Sequence, residues 1–303
     1  MTVSRPFKQV DVFTDTPYFG NPLAVVLDGQ GLDADAMQRF ATWTNLSETT
    51  FVLPPTDARA DYQVRIFTPG GELPFAGHPT LGTCHAWLQA GGQPRQAGRI
   101  VQQCAVGLVE LRQDGERLSF AAPALRRSTP SATLLAQAAA ALGLDASQIQ
   151  AAQLLDNGPV WLGLLLDSEA TVLALKPDHA AITRLRQKIG VCAVRDGHMQ
   201  SLLIARASRE ARAFERTAAE QAPALEVRAF AAPVGVPEDP VTGSLNASLA
   251  QWLIADGHMP ERYEASQGQC LGRDGRIDIH RDASGQVWVG GHSTTCITGD
   301  VRI

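Results

Sequence analysis

A chain that repeats its own pattern has to fold as two copies of one unit, and this chain does so. Glu72-Leu73-Pro74-Phe75-Ala76-Gly77-His78 returns as Glu238-Asp239-Pro240-Val241-Thr242-Gly243-Ser244, with Glu, Pro and Gly coinciding at an offset of 166 (Glu72 to Glu238). Each segment runs into an alanine-rich apolar stretch containing Trp-Leu: Trp87-Leu88 in the first, Trp252-Leu253 in the second, a slip of one residue. Each stretch ends on glycine, at Gly91-Gly92 and at Gly257. A second echo sets Asn21-Pro22-Leu23-Ala24-Val25-Val26 beside Asn157-Gly158-Pro159-Val160-Trp161-Leu162, and both introduce an apolar strand.

The repeat reads as a loop feeding a helix, twice. Ser244 or a neighbouring polar group is expected to cap the second helix, and the glycines to close both. Leu81, Cys84, Trp87 and Leu88 in one, and Leu245, Leu249, Trp252, Leu253 and Ile254 in the other, leave little polar face. Such helices belong in the middle of a domain.

Short β-type runs occupy much of the remainder. They are expected at Phe7–Thr14, Leu23–Leu27, Thr49–Leu53, Tyr62–Thr68, Ile100–Cys104 and Leu108–Arg112. The second half offers Trp161–Leu166, Val191–Arg195, Ser201–Arg206, Val227–Ala231, Ile277–His280, Val287–Gly290 and Thr294–Ile303. Surface helices are expected at Asp33–Trp43, with Met37, Phe40, Ala41 and Thr44 on one face, at Asp178–Lys188, and at Ser131–Leu142. Proline and charge over Ala124–Pro130 mark the domain boundary. The fold class is therefore α+β: two pseudo-symmetric domains, each a curved sheet around one central helix.

Length supports two domains, since 303 residues fill two ordinary cores. A formal charge of -5 with scattered basic residues gives no case for nucleic acid or an anionic membrane. No apolar run has the length of a membrane span or forms a signal peptide, and five widely spaced cysteines without a C-x-x-C pair read as reduced, buried thiols. A cytoplasmic location follows as an expectation. Only Lys8, Lys176 and Lys188 are lysines, and none lies near the repeated loops in sequence, which weighs against Schiff-base chemistry there.

A helix start presents backbone N–H groups and a partial positive charge, so it suits a bound anion. Two related starts facing each other across a cleft are expected to hold both ends of a small acid, with Gly77 and Gly243 letting the backbone approach closely. A tight turn required only by the fold is the alternative, and His78, Ser244 and Asp239 beside the glycines tip the reading towards function. Glu48, in Asn45-Leu46-Ser47-Glu48-Thr49-Thr50-Phe51-Val52-Leu53, stands where a helix gives way to a strand. A carboxylate there is either a solvated edge charge or a group poised to exchange a proton.

Gly20-Asn21-Pro22-Leu23-Ala24-Val25, Asn45-Leu46-Ser47-Glu48-Thr49-Thr50-Phe51-Val52, Arg65-Ile66-Phe67-Thr68-Pro69, both repeated loops and the terminal Gly290-Gly291…Gly299-Asp300-Val301 occur in order over nearly the whole chain. Together they resemble the phenazine-biosynthesis PhzF-like family. The resemblance implies the diaminopimelate-epimerase-like fold, with mostly antiparallel barrel-like sheets and a homodimer. Domains of 1–122 (joined by the last strand, about 292–303) and 123–291 are expected on that basis. It also implies that Glu48 is the acid/base, that His78, Asp239 and Ser244 are the other catalytic groups, and that Gly77, Gly243, Ala76 and Thr242 line the substrate. The implied activity moves a proton between ring carbons of a dihydro-hydroxyanthranilate-type acid without metal, flavin or nucleotide.

A two-thiol epimerase on this fold would carry cysteine just before each loop glycine, where Ala76 and Thr242 stand, so that chemistry is disfavoured. A non-catalytic small-molecule binder would be expected to lose the carboxylate, and Glu48 is present. His78 and His85 are two helical turns apart but lack the further ligands of a zinc site, and Ser244 lacks the G-x-S-x-G elbow of a hydrolase.

Overall fold

In a computed structural model of the chain, which describes residues 3–195 and 223–303, strands pair in one order twice. The chain divides into two compact units, Met1–Ala121 with Val289–Ile303, and Ala122–Trp288. In the first unit β1 (Ser4–Val12) is antiparallel to β2 (Asn21–Val26), and β2 is parallel to β3 (Glu48–Leu53). Next β3 is antiparallel to β4 (Tyr62–Thr68), which turns back onto the short β5 (Gly71–Leu73). β4 also runs parallel to β6 (Arg99–Cys104), followed by antiparallel β7 (Gly107–Asp114) and β8 (Arg117–Ala121).

The second unit repeats this. β9 (Arg126–Ser128) is antiparallel to β10 (Ile149–Asp156), which is antiparallel to β11 (Val160–Leu166). β11 is parallel to β12 (Lys188–Val194), and β12 is antiparallel to β13 (Leu225–Ala231). β13 carries the short β14 (Val236–Asp239) and runs parallel to β15 (Arg262–Gln267), which pairs with β16 (Gly275–Arg281). After β17 (Val287–Gly291) the chain returns to the first unit, where β18 (Ser293–Arg302) lies along β1, from Ser4 opposite Arg302 to Val12 opposite Ser293.

Among the described residues, α-helices fill the equivalent connections of both units and one further connection of the second. α1 (Ala34–Thr44) joins β2 to β3, and α2 (Gly77–Gln89) joins β5 to β6. α3 (Ala132–Leu142) precedes β10, while α4 (Glu169–Ala174) and α5 (His179–Leu185) lie between β11 and β12. α6 (Gly243–Ala255) joins β14 to β15. Among the described residues no helix is long and apolar enough to cross a membrane.

The surface helices obey local rules. Asp33, Ser131 and Asp178 cap α1, α3 and α5 by accepting from the amide of the third helical residue. In α1, Met37 and Ala41 are buried against Val26, Phe51 and Phe67, and Phe40 packs beside them. Asn45 ends the helix in the left-handed conformation (φ 53°), which short polar side chains tolerate, and β3 starts at Glu48.

α2 and α6 break those rules. Their cap positions, Ala76 and Thr242, make no side-chain hydrogen bond to the helix. Ser244 is not a cap: it is already inside α6, and its hydroxyl is engaged elsewhere. An N-cap contributes about 0.5–2 kcal/mol, whereas burying one large apolar side chain contributes roughly 1.5–3 kcal/mol. α6 alone buries Leu245, Leu249, Trp252 and Leu253, so packing holds the helix and its first-turn amides need no cap. Both helices stop where a glycine follows in the left-handed region, Gly91 (φ 92°) and Gly257 (φ 74°).

Other expectations shift. β9 lies within Ala124–Pro130, read from sequence as the domain boundary, where no strand was expected. β10 and β15 had no clear strand pattern, because Ile149–Asp156 mixes alanine with glutamine and Arg262–Gln267 buries polar Ser266 and Gln267. Ser201–Arg206 lies outside the described residues. Of the cysteines, Cys84, Cys104 and Cys192 are buried, but Cys296 is only partly covered and Cys270 is exposed.

Gly20 shows how closely the first unit is packed: a Cβ there would stand 2.4 Å from the Val12 carbonyl oxygen and 2.7 Å from Thr14 Cγ2. Backbone cannot yield as a side-chain tip does. Gly20→Ala is therefore expected to destabilise the protein by about 1–3 kcal/mol, read as a lower midpoint in urea; an unchanged midpoint would refute this close packing.

Candidate active site

Each unit gathers polar groups at the start of its buried helix. In the first, β3 opens with Glu48 directly after the α1 turn, and α2 opens with Gly77 and His78. Glu48 Oε2 lies 3.4 Å from His78 Nε2, with the carboxylate side chain 16% exposed and the imidazole 5%. Glu48 is thus mostly covered yet reachable. Burial pushes the His78 pKa down from its ordinary 6.5 to about 3, only partly offset by a hydrogen bond to the Pro22 backbone. At neutral pH the imidazole is uncharged, so its contact with Glu48 is not an ion pair. Asn21 Nδ2 stands 3.5 Å from His78 Nδ1, on the side of the ring away from Glu48.

In the second unit, Asp239 ends β14 and accepts from the Thr242 hydroxyl at 2.7 Å. Gln267 holds this loop from β15. Its Oε1 accepts from the Thr242 amide at 3.1 Å and from Asn246 Nδ2 at 2.9 Å. Its Nε2 donates to the Asp239 carbonyl at 2.9 Å and to Thr242 Oγ1 at 3.0 Å. Ser244, one residue into α6, accepts at Oγ from Trp161 Nε1 at 3.2 Å, and its carbonyl accepts from Asn157 Nδ2 at 3.0 Å. Just outside the loop, Arg228 grips Glu238 with two hydrogen bonds of 2.9 and 2.8 Å.

The duplicated sequence therefore extends to side-chain contacts. Asn21 reaches His78, and Asn157 reaches Ser244, the residue equivalent to His78 in the repeat. Gln102 in β6 donates to Thr80 Oγ1 at 3.0 Å, and Gln267 in β15 accepts from Asn246, the equivalent of Thr80.

Structure thus joins Glu48 to His78, and Asp239 to Thr242. It puts Gly77 and Gly243 at the two helix starts, with Ala76 and Thr242 as the cap residues before them. Gln267, Asn157 and Trp161 were not identified from sequence, although the Asn21/Asn157 echo was already a signal for one of them.

Lys188 is remote in sequence from the repeated loops but not in space. Parallel pairing puts it beside Trp161, with its ammonium 4.7 Å from the indole centroid, and the Asp239 charge is felt at its Nζ.

Cys84 is no substitute for the absent thiols at 76 and 242. Burial raises its pKa to about 12, so it is a thiol and not a thiolate at neutral pH. Among the described residues no group of three or more His, Cys, Asp or Glu side chains is arranged to hold a metal ion.

The architecture is shared with solved structures. The crystal structure of a Bacillus anthracis phenazine biosynthesis protein of the PhzF family superposes with a TM-score of 0.80, covering 99% of this chain and 100% of that one at 21% identity. Duplicated α+β units with a buried, uncapped helix are the diaminopimelate-epimerase-like class of isomerase fold. The family model described as Phenazine biosynthesis-like protein matches residues 10–299. A trans-2,3-dihydro-3-hydroxyanthranilate isomerase from Pseudomonas aeruginosa is 33% identical over 91% of this chain and 90% of its own. A Schizosaccharomyces pombe protein named Antisense-enhancing sequence 1 is 36% identical over 97% of both chains. The chain belongs to the PhzF family and is an isomerase.

The neutral His78 has a consequence for stability. The unfolded imidazole takes a proton near pH 6.5, whereas the folded one resists until about 3. Between these values the unfolded chain binds more protons, so His78 costs stability as pH falls below about 6.5. Urea midpoints at pH 7 and pH 5 should fall further for wild type than for His78→Asn; equal falls would show that His78 is not buried in neutral form.

Proposed function

We propose that this isomerase moves a proton between two carbons of a small carboxylate-bearing substrate, with Glu48 as the acid/base. The observation that carries this reading is the 3.4 Å contact between Glu48 and an uncharged His78 at the start of a buried, uncapped helix. A carboxylate beside a cation is stabilised in its charged form and becomes a weaker base. His78, being neutral, does not place such a cation there, and Glu48 is mostly covered yet reachable, the position a proton-exchanging carboxylate needs.

The reaction then runs as follows. Glu48 removes a proton from a carbon next to a π-system, and the C–H electron pair enters that system as the double bond shifts. The protonated Glu48 returns the same proton to a second carbon, regenerating the carboxylate. Nothing is oxidised or reduced, and no electron acceptor is required. His78 fixes the orientation of the Glu48 carboxyl and, having one ring nitrogen with a lone pair, can hold a proton hydrogen-bonded between the two groups.

At the start of α6, the amides of Gly243 and Ser244 and the Ser244 hydroxyl are assigned to the substrate carboxylate and to charge developing in the transition state. Asp239, held by Thr242, orients the substrate. The relative named trans-2,3-dihydro-3-hydroxyanthranilate isomerase supports an unsaturated cyclic acid as the substrate class.

Glu48→Gln keeps the shape and removes the base. Assayed on trans-2,3-dihydro-3-hydroxyanthranilate or, if that is not turned over, by deuterium uptake from D2O into a panel of unsaturated cyclic acids, it should lose at least about 10³-fold in kcat. General base removal typically costs about 10²–10⁴-fold. Ligand affinity should stay within a few-fold of wild type; turnover at the wild-type rate would sink the assignment.

A further inference from the structure

Lys188 is a charged residue of the second unit to which the mechanism above gives no task and which, unlike Arg228 and Glu238, forms no ion pair among the described residues. It starts β12, is half-buried, and stands directly beside Trp161 of β11 in parallel register. Its ammonium lies over the indole face, 4.7 Å from the ring centroid. The edge of the same indole donates its N–H to Ser244 Oγ at 3.2 Å. One aromatic ring thus carries a cation on its face and a substrate-site hydroxyl on its edge.

This arrangement limits where the cation can go. A lysine stem has four rotatable carbons, and the ammonium normally seeks water. Here the indole supplies a cation–π platform that fixes the head group without neutralising it. A salt bridge would have consumed the charge. A stacked cation keeps it available to an incoming anion.

A second polar atom points to a ligand. Asn157, which is 8% exposed, uses its Nδ2 to hold the Ser244 carbonyl, while its Oδ1 finds no hydrogen-bond partner among the described residues. A buried acceptor left without a donor costs about 1–3 kcal/mol. Trp161, which holds the Ser244 hydroxyl, thus carries a cation, and Asn157, which holds the Ser244 carbonyl, carries an acceptor without a partner among the described residues. An acid bearing an N–H or O–H donor next to its carboxylate answers both.

We propose that Lys188, held on the face of Trp161, is the residue that recognises the substrate's carboxylate, and that Asn157 Oδ1 accepts from a neighbouring amino or hydroxyl group of the same substrate. The inference rests on the assignment of the α6 start to the substrate carboxylate, and it adds the countercharge and the substrate feature that this assignment lacks. Lys188 is a specificity-determining residue in this reading and takes no proton from carbon.

The environment of Lys188 makes the proposal testable by pH. Burial lowers its pKa from 10.5 to about 8, with the Asp239 charge working in the opposite direction. A carboxylate that binds the ammonium must bind the protonated form. Affinity should therefore be constant below pH 8 and fall as pH rises through it, by up to tenfold per pH unit.

The experiment is calorimetric titration of the intact protein with anthranilate, which carries both carboxylate and amine, with benzoate, which lacks the donor, and with anthranilamide, which lacks the charge. Wild type should bind anthranilate at least tenfold more tightly than anthranilamide at pH 7, and the difference should shrink between pH 8 and 9.5. Lys188→Met should lose tenfold or more for anthranilate, with a flat pH curve and unchanged anthranilamide binding. Lys188→Arg should restore affinity and remove the fall above pH 8. Asn157→Leu, which removes the acceptor, should weaken anthranilate more than benzoate.

Equal affinity of wild type and Lys188→Met for anthranilate, a flat wild-type pH curve, or no preference for anthranilate over anthranilamide (binding of neither included) would overturn the assignment. Benzoate bound as tightly as anthranilate would remove Asn157 from it. The Glu48→Gln variant separates the two readings. It should show the wild-type anthranilate curve, so failure at Lys188 with turnover lost in Glu48→Gln refutes only this inference, and success at Lys188 with turnover retained refutes only the acid/base assignment.

Discussion

Gln267 stands where a helix that has no surface must begin. α6 runs through the interior of its unit, and the first turn of such a helix brings polar backbone into a place without water. The side-chain amide of Gln267 answers with two accepted and two donated hydrogen bonds, to Thr242, Asn246 and the Asp239 carbonyl. Everything proposed for this unit depends on that clamp. It sets the direction of the loop after β14, fixes the Thr242 hydroxyl on Asp239, and stands in for the side-chain cap that Thr242 does not supply. Removing a partner from a buried network leaves the others unsatisfied, so the loop has one low-energy arrangement.

The first unit solves the same problem with different residues. Gln102, in the strand equivalent to that of Gln267, binds Thr80 of α2 and accepts from the Tyr62 hydroxyl at 3.0 Å. Asn21 and Asn157 likewise reach the residue after the helix-start glycine in their respective units. That residue is His78 in one and Ser244 in the other. Duplication kept the scaffold of amides and changed the tip, so that one unit presents a neutral imidazole beside a carboxylate and the other a hydroxyl beside an indole.

The buried helices and the two-unit α+β class were legible because they rest on repeated local signals: Pro and Gly before an apolar run, Trp-Leu within it, glycine after it. Glu48 lies outside the repeat and was a candidate from its place at a strand entry and from the family resemblance. What stayed hidden depends on contacts across the sheet. Lys188 reads in sequence as the end of the expected helix Asp178–Lys188; the helix stops at Leu185, and Lys188 instead starts β12 in parallel register with Trp161. Gln267 ends the polar run Arg262–Gln267, whose burial is set by hydrogen bonding and not by an apolar alternation. Ser244 failed as a cap for a related reason. Burial of α6 carries the helix, so its hydroxyl was released to meet Trp161.

The pairing of β18 with β1 sets a different kind of constraint. Ser4 lies opposite Arg302, and the Val3 amide donates to the Ile303 carbonyl at 2.9 Å. The second unit is one continuous stretch, Ala122–Trp288, whereas the first is written in two pieces on either side of it. The edge of β1 therefore stays open until the whole second unit has been made. During synthesis the earlier unit is the later one to be finished, and β1, with an unpaired edge, is the segment exposed to mispairing in the interval.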